Sequence, residues 1–352
     1  MWAGAWERAC TRRCRRARDR WYRNIDKPDR PTRDVRLAAC PAPAVRWRYP
    51  MSISPSPQVV ELAPGIFAYI QPDGGVMLNN AGFIASGSDL LLIDTCATEA
   101  RTKALLAAAQ AKTGLRPTLV VNTHHHGDHT FGNCVTNPAP IISHEYARRR
   151  ILATGLAPMS LTPTVQFGDL VLAAPTITVE SHAHLYVGAI EVHLLHLGVA
   201  HTAGDLVVWL PESRVLYAGD ILFNGGTPFL IDGSLSTYDR VLDKIRDLDP
   251  RLIVPGHGDP AGTDLLDETW DYLRWLRRLV EEAHERGQSP LEAARAADPG
   301  PFSEWLDSER LVVNIARGLA EINGAAPAEP LDYARMFADM TALRGGPIHT
   351  LA

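Results

Sequence analysis

The chain of 352 residues is 46% hydrophobic and 21% charged, the composition of an ordinary globular protein and enough for one large domain or two modest ones. Its formal net charge of -5 hides a split: residues 1–50 hold 14 of the 35 basic but only 5 of the 40 acidic residues, so the remainder is strongly acidic. An acidic body argues against a nucleic-acid partner, and the lack of any run of about 18 apolar residues argues against a membrane span.

Residues 1–50 show no hydrophobic period and concentrate arginine, three cysteines (Cys10, Cys14, Cys40) and four tryptophans (Trp2, Trp6, Trp21, Trp47). They read as a basic, disordered extension, either an arm for an anionic surface or a tail without function, with Met51 as an alternative start. Arg12 and Arg13 are not followed by an apolar stretch, which argues against an export signal. Cys10 and Cys14 lack the second ligand pair a zinc site needs. Beyond them only Cys96 and Cys134 remain, which suggests a reducing cytoplasm and no disulfide framework.

From residue 58 onward, apolar runs bounded by Gly, Pro and Asn predict strands over 58–71, 76–86 and 88–95. Ala and Leu at helical spacing predict a helix over 98–112, stopped by Gly114. A buried strand over 117–124 delivers a histidine cluster at its C-terminal end, and 139–152 reads as a strand running into a helix. A β-rich stretch follows over 165–222. A helix over 236–248, a strand over 251–258 and helices over 264–286 and 309–322 complete the pattern. The last thirty residues are expected to wrap the surface or fray. Strands and helices alternating in two successive halves predict an α+β fold of two sheets with helices outside both. The main domain is expected over 51–286, with a C-terminal helical segment over 287–352 packed on it.

The chemistry concentrates in "THHHGDH", residues 123–129. A zinc ligand must offer a lone pair from imidazole, thiolate or carboxylate, and the ligands must converge. Alternation at a strand end lets His124 and His126 share a metal while His125 points away. The turn at Gly127 then redirects Asp128 and His129 toward a second point. His201 in "AHTAGD", Asp220 closing "VLYAGD" and His257 in "VPGHG" stand at further transitions between strand and loop. These five histidines and two carboxylates suffice for two metal ions.

The signature T-H-x-H-x-D-H, with "AHT", "AGD" and "PGHG", resembles the metallo-β-lactamase superfamily over about residues 58–260. The resemblance implies a four-layer αβ/βα sandwich with a dinuclear site between its sheets. By that likeness His124, His126 and His201 hold one metal, Asp128, His129 and His257 the other, and Asp220 bridges. Two zinc ions are implied, with iron or manganese as alternatives because availability and fine geometry decide. Asp128 would also position water, and Asp220 would share in catalysis. Asp220 stands where β-lactamases with a cysteine ligand carry Cys, and His126 where flavo-diiron proteins carry Glu. Only 36 residues separate Asp220 from His257, too few for the cap of nucleases of this fold.

What remains is similar to glyoxalase II, lactonases and their relatives, in which a metal-bridging hydroxide attacks a thioester or lactone carbonyl. The stretches 61–86, "GNCV", "GDILFNGGTPFLIDGS" and the helices up to about residue 322 are similar to cyclase/thioesterases of aromatic polyketide pathways. That likeness adds an acyl carrier protein as a partner beside a small acyl substrate.

Around the donors, Asp94, Thr123, Thr202, Asn79 and Asn80 are candidates to orient ligand imidazoles and loops. Asp94 has the alternative of capping the next helix, where Thr95 and Thr98 compete, and the others have alternatives in turn chemistry. Phe223 and Phe229 are candidates for a substrate pocket. His182 and His184 alternate on a strand with no carboxylate to accompany them. His193 and His196 read as core or surface residues, His144 and His284 as solvated helix residues, and Trp270 and Trp275 as core or interface anchors. Arg148, Arg149 and Arg150 read as a solvated helix face, with an acidic carrier protein as the functional alternative. Two other functions use the same motifs: a mononuclear iron oxidoreductase of persulfide dioxygenase type on His124, His201 and Asp220, and a non-catalytic binding protein.

Overall fold

Apolar runs that alternate or persist become strands, and four of them pair antiparallel in chain order: β1 (Gln58–Ala63), β2 (Ile66–Ile70), β3 (Ala81–Ser86) and β4 (Asp89–Ile93). The computed structural model describes residues 56–71, 75–348 and 350–352, all within one compact unit, Pro50–Ala352. The basic leader and the alternative start at Met51 lie outside the described residues.

After β4 comes helix α1 (Glu99–Thr113). It starts where the Thr98 hydroxyl accepts the Arg101 N–H, and it ends at Gly114, whose φ of 74° is the left-handed conformation that favours glycine. Strand β5 (Leu119–Val121), short helix α2 (Gly127–Thr130), β6 (Ile141–His144), α3 (Glu145–Thr154) and β7 (Ile177–Val179) follow. Strands β4 to β7 run parallel and complete a seven-stranded sheet in the order β1 to β7. The second sheet joins β8 (His182–Val187), β9 (Ile190–Leu195), β10 (Val207–Leu210) and β11 (Val215–Phe223) antiparallel. Helix α4 (Tyr238–Asp247) then carries the chain to β12 (Leu252–His257), parallel to β11. Four helices close the fold: α5 (Asp264–Glu285), α6 (Pro290–Ala296), α7 (Leu311–Ile322) and α8 (Tyr333–Arg344).

The main core lies between the sheets, where Ile84, Leu91 and Val121 join Val192, Leu194, Val208, Tyr217 and Val254 in one cluster. On its other face the first sheet buries Phe83, Leu92 and Val120 with Leu105 and Ala109 of α1. Its central strands are therefore covered on both sides, which is why β2 and β4 read as continuous apolar runs rather than alternating ones. Each such Leu, Ile or Val contributes about 1.5–3 kcal/mol by burial, so this double cover dominates what holds the sheet. The arrangement is the expected α+β sandwich with C-terminal helices. Among the described residues no helix is long and apolar enough to cross a membrane.

The structure corrects several expectations. Residues 165–176 hold no strand; Val171 and Leu172 stay exposed on a cavity wall instead of entering a ladder. The strand expected over 76–86 begins only at Ala81, because Asn79 and Asn80 spend their side-chain N–H groups on the carbonyls of Thr95, Pro255 and Gly258. Of the last thirty residues, expected to wrap the surface or fray, Tyr333–Arg344 form a helix that buries Met336 and Met340. Asp332 caps α8 by accepting the Arg335 N–H, and Gly345 (φ 75°) ends it. His144 is not a solvated helix residue: it ends β6, caps α3 through the Tyr146 N–H, and lies against the His196 ring at 4.2 Å. His284 is exposed on α5, as expected. Trp270 lies under Arg246, and Trp275 packs against Tyr272 and Phe302.

Candidate metal centre

Strand ends and loops of both sheets bring the seven sequence-predicted donors together. β5 stops at Val121, so His124 and His126 sit just past the strand rather than on it, and α2 carries Asp128 and His129. The loop after β9 supplies His201, and the end of β12 supplies His257. Asp220 lies inside β11, which continues to Phe223. There the β11–β12 register shifts on either side of Gly219, whose φ is 54°, and a local break of this kind re-aims a side chain out of the ladder.

Two donor groups result, and Asp220 belongs to both: His124, His126, His201 and Asp220, and Asp128, His129, His257 and Asp220. Asp220 Oδ1 lies 3.0 Å from His129 Nε2, and its Oδ2 lies 3.3 Å from His257 Nε2, 3.5 Å from His201 Nε2 and 3.9 Å from His124 Nε2. His126 Nδ1 and His201 Nε2 are 2.8 Å apart, and Asp128 Oδ2 is 3.4 Å from His257 Nε2.

The supporting residues decide which nitrogen each imidazole presents. Asp94 accepts the Thr123 N–H and hydroxyl, each at 2.7 Å, and its Oδ2 is 2.8 Å from His129 Nδ1. His129 Nε2 therefore faces the centre. The Thr123 hydroxyl gives its proton to Asp94, so its oxygen accepts from His124 Nδ1 at 3.1 Å and leaves His124 Nε2 facing inward. Asp94 thus sets two ligands at once, its φ of 60° turning the carboxylate back toward them; the helix cap is Thr98. Asn79 reaches the His129 ring at 3.5 Å and donates to the Thr95 carbonyl. Asn80 holds the carbonyls of Pro255 and Gly258 on either side of His257. Thr202 bonds Asp205, whose carboxylate accepts the Thr202 N–H and hydroxyl and so ties the loop of His201.

Sequence reasoning missed Asp232. This buried carboxylate lies 3.1 Å from the Nε2 atoms of both His125 and His126, accepts the Tyr333 hydroxyl and lies 3.5 Å from Arg150. It leaves His126 to present Nδ1, and it gives His125 a partner on the side away from the donors. The loop that carries Asp232 and Phe229 is pinned by α7: Asn314 accepts the Leu230 N–H and donates to the Pro228 carbonyl, and the buried Arg317 donates to the Leu230 and Ile231 carbonyls. The visible signal was "LIDG", an acid adjacent to glycine as at "AGD" though in the opposite order, but its histidine partners lie more than a hundred positions away. Arg148, Arg149 and Arg150 do not form one basic face. Arg148 donates to the Pro175 carbonyl, Arg149 is exposed beside Glu145, and Arg150 turns to Asp232.

The donor set passes a test of fit for metal. His124 Nε2, His129 Nε2 and Asp220 Oδ1, which face one another at the centre, are buried with no hydrogen-bond partner. His129 Nε2 and Asp220 Oδ1, though 3.0 Å apart, are not aligned for one. Native proteins rarely leave such groups unsatisfied, because each costs about 1–3 kcal/mol; a cation between them removes the cost. Without metal the charges divide sharply. Burial drives His124 well below its usual range and His201 down to about 3. Burial also opposes charge on His129 and His257, but the carboxylates outweigh it. Asp220, Asp128 and Asp94 hold His129 well above its usual range, and Asp220 and Asp128 raise His257 to about 9.

Metal ligation needs neutral imidazoles, so loading is expected to expel about two protons per chain at neutral pH, from His129 and His257. Calorimetry in buffers of different ionisation enthalpy measures that number. The same shifts fix a sign for stability. A histidine whose folded value is raised stabilises fully below about 6.5 and loses that contribution as pH rises through about 9. The melting temperature of chelator-treated protein is expected to fall over that window.

A cavity of about 420 Å³ opens beside Asp128, Asp220 and His257. Its wall is largely apolar and includes Phe131, Ile151, Phe223, Phe229, Phe337 and Met340. Phe223 stacks on the His257 ring at 5.0 Å, and Phe229 lies 6.3 Å from His126. Cys96 does not compete as a nucleophile here, because burial pushes its thiol up to about 12.

Comparison with known proteins agrees with this geometry. Residues 74–257, more than half the chain, match the family model of the metallo-beta-lactamase superfamily. The chain is 31% identical over 243 residues to the hydroxyacylglutathione hydrolase of Rhodospirillum rubrum, covering 67% of this chain and 84% of that one. It is 24% identical over 235 residues to the metallo-beta-lactamase type 2 of Bacteroides fragilis, covering 64% and 89%. Among solved structures, the metallo-beta-lactamase from Pontibacter korlensis superposes with a TM-score of 0.54 at 18% identity, covering 62% of this chain and 99% of that one. Helices α5 to α8 lie beyond the segment the family model matches. With its two donor groups meeting between two sheets and this span of matched sequence, the chain belongs to the metallo-beta-lactamase superfamily.

Proposed function

We propose that the protein is a metal-dependent hydrolase that cleaves a thioester or lactone, with two divalent ions, zinc first among them, held by the two donor groups. The observation that carries this reading is the Asp220 carboxylate, common to both groups within 3.9 Å of four imidazoles. A single carboxylate so placed suits two ions sharing one ligand, and it stands where β-lactamases with a cysteine ligand carry sulfur. Bound divalent ions supply a Lewis acid and bring the pKa of water from 15.7 toward about 7, so that a nucleophile exists at neutral pH.

The protein's own residues do the rest. Asp94 and Asp232 lock the ligand tautomers, Asp128 and Asp220 place negative charge where water must be oriented, and the apolar cavity seats the acyl group while excluding bulk solvent. The hydroxyacylglutathione hydrolases among the relatives support thioester cleavage. The narrower reading is a cyclase/thioesterase that releases an aromatic polyketide from an acyl carrier protein. The four phenylalanines of the cavity support it, whereas the division of Arg148, Arg149 and Arg150 removes one docking surface for such a carrier.

The test is metal content by mass spectrometry paired with a panel of acyl thioesters, lactones and a cephalosporin. Wild-type protein is expected to carry two ions and to turn over thioesters or lactones. Asp128→Ala is expected to carry one and to lose most turnover, because its second group loses a charged donor. A single iron with oxygen uptake on glutathione persulfide would replace this reading with the oxidoreductase one, and full turnover in Asp128→Ala would sink the mechanism.

A further inference from the structure

Strands β8 and β9 form a hairpin at the edge of the second sheet, and their register sets three donors side by side on one face. His184 lies directly opposite His193, and Glu191 stands two residues from His193 on the same face, since side chains alternate along a strand. Glu191 Oε1 is 2.9 Å from His193 Nε2. The rings of His184 and His193 stack at 4.2 Å with 13° between their planes, and donor atoms of all three residues lie within 4.8 Å of one another. His193 is buried, Glu191 half-buried and His184 exposed, so the sheet fixes two donors and leaves the third on the solvent side. The expectation that no carboxylate accompanies the β8 histidines is therefore corrected: Glu191 comes from the neighbouring strand, which the sequence order of His182 and His184 does not show.

We propose that His184, Glu191 and His193 form a further metal site for a borderline divalent cation such as Zn²⁺ or Cu²⁺, clamping β8 to β9. Two ligands of one tetrahedral zinc, each about 2.0–2.1 Å from it, stand about 3.3 Å apart. Glu191 Oε1 and His193 Nε2 already sit near that separation, and the ion takes the place of the proton between them. His184 needs only a ring tilt at its exposed end to bring the third donor in. Two imidazoles and one carboxylate select zinc, copper or nickel over magnesium or calcium, which prefer an all-oxygen shell, and without thiolate they do not favour Cu(I). The solvent side leaves coordination positions for water. His182, its ring 6.1 Å from that of His184, stands nearby on the same strand. No residue of this set belongs to the Asp220-centred donor groups, so this proposal does not rest on the hydrolase reading.

The test uses untagged, full-length protein whose zinc content has first been brought to a plateau by dialysis against a low-micromolar buffered zinc solution. Wild type is expected to bind one zinc per chain more than either His184→Asn or Glu191→Gln. Relative to chelator-treated protein, zinc at that plateau should raise the melting temperature of wild type by more than that of either variant. With copper, the wild-type-minus-variant electron paramagnetic resonance spectrum is expected to show splitting from two imidazole nitrogens. Magnesium should produce no difference among the three proteins. Equal zinc uptake by wild type and both variants overturns the site, and so does a copper difference spectrum without nitrogen splitting. Thioesterase activity is expected to be the same in all three, which separates failure here from failure of the proposed function.

Discussion

Asp220→Ala is expected to lower hydrolysis on the order of 10³-fold or more, the scale on which a preorganised charged or polar group acts on a reacting centre. It is also expected to empty both donor groups together. The distinction from Asp128→Ala is the informative part. Asp128 belongs to one group, so its loss removes one ion; Asp220 belongs to both, so its loss removes the shared negative charge on which four surrounding imidazoles depend. Burial alone would raise the Asp220 carboxyl, yet His257, His129 and His124 hold it well below the usual carboxylate range. Removing it takes from His129 and His257 their largest counter-charge and leaves them only Asp94 and Asp128, and breaking a buried pair in this way costs up to about 3–5 kcal/mol. The apo variant is therefore expected to melt well below apo wild type. Metal content and melting temperature measured on the same samples check both halves, and an Asp220→Ala protein that keeps one ion would show that the carboxylate is not shared.

Gly256→Ala is expected to reproduce much of that loss without touching a donor. A β-carbon at Gly256 would overlap Asp220 Oδ1 and crowd the Asp220 backbone nitrogen. The obstacle is contact, since Gly256 is not among the glycines with positive φ. The carboxylate must swing aside or β12 must move away from β11; overpacking of this kind costs about 1–3 kcal/mol. Either response pulls Asp220 from one or both donor groups, so metal content and turnover fall together while the seven donor residues remain. Gly346→Ala is the control, because nothing lies within 4 Å of its added carbon. Normal metal content in Gly256→Ala would mean that the strands yield without disturbing the site.

How far the sequence reaches is plain from these residues. The strand and helix pattern was legible wherever a single rule governed it. α1 lies within a residue of its expected bounds because Thr98 caps it and Gly114 stops it. The continuous strands β4, β5 and β12 declare themselves because the sheets bury both of their faces. Legibility failed where an apolar run serves a cavity rather than a ladder. Val171 and Leu172 look like strand residues and instead line the pocket, and α8 looked like a tail because its apolar side chains Phe337 and Met340 also face that pocket.

The donors themselves could be named from local spacing, because each stands beside a turn whose residues are contiguous in the chain. His124, His126, Asp128 and His129 fall in one stretch of "THHHGDH", His201 and His257 each carry an adjacent glycine or threonine that marks a loop, and the glycine before Asp220 marks a break within β11. The tertiary structure alone decided what holds them. Asp94 reaches His129 across 35 positions and Asp232 reaches His126 across 106, and α7 fixes the Asp232 loop from still further along the chain. The register of β8 on β9 likewise set Glu191 beside two histidines. Short-range order is written in residue spacing because turns, caps and strand alternation act over a few bonds. Which carboxylate meets which imidazole depends on how two sheets pack, and that follows from the sum of the burial, with no local signature.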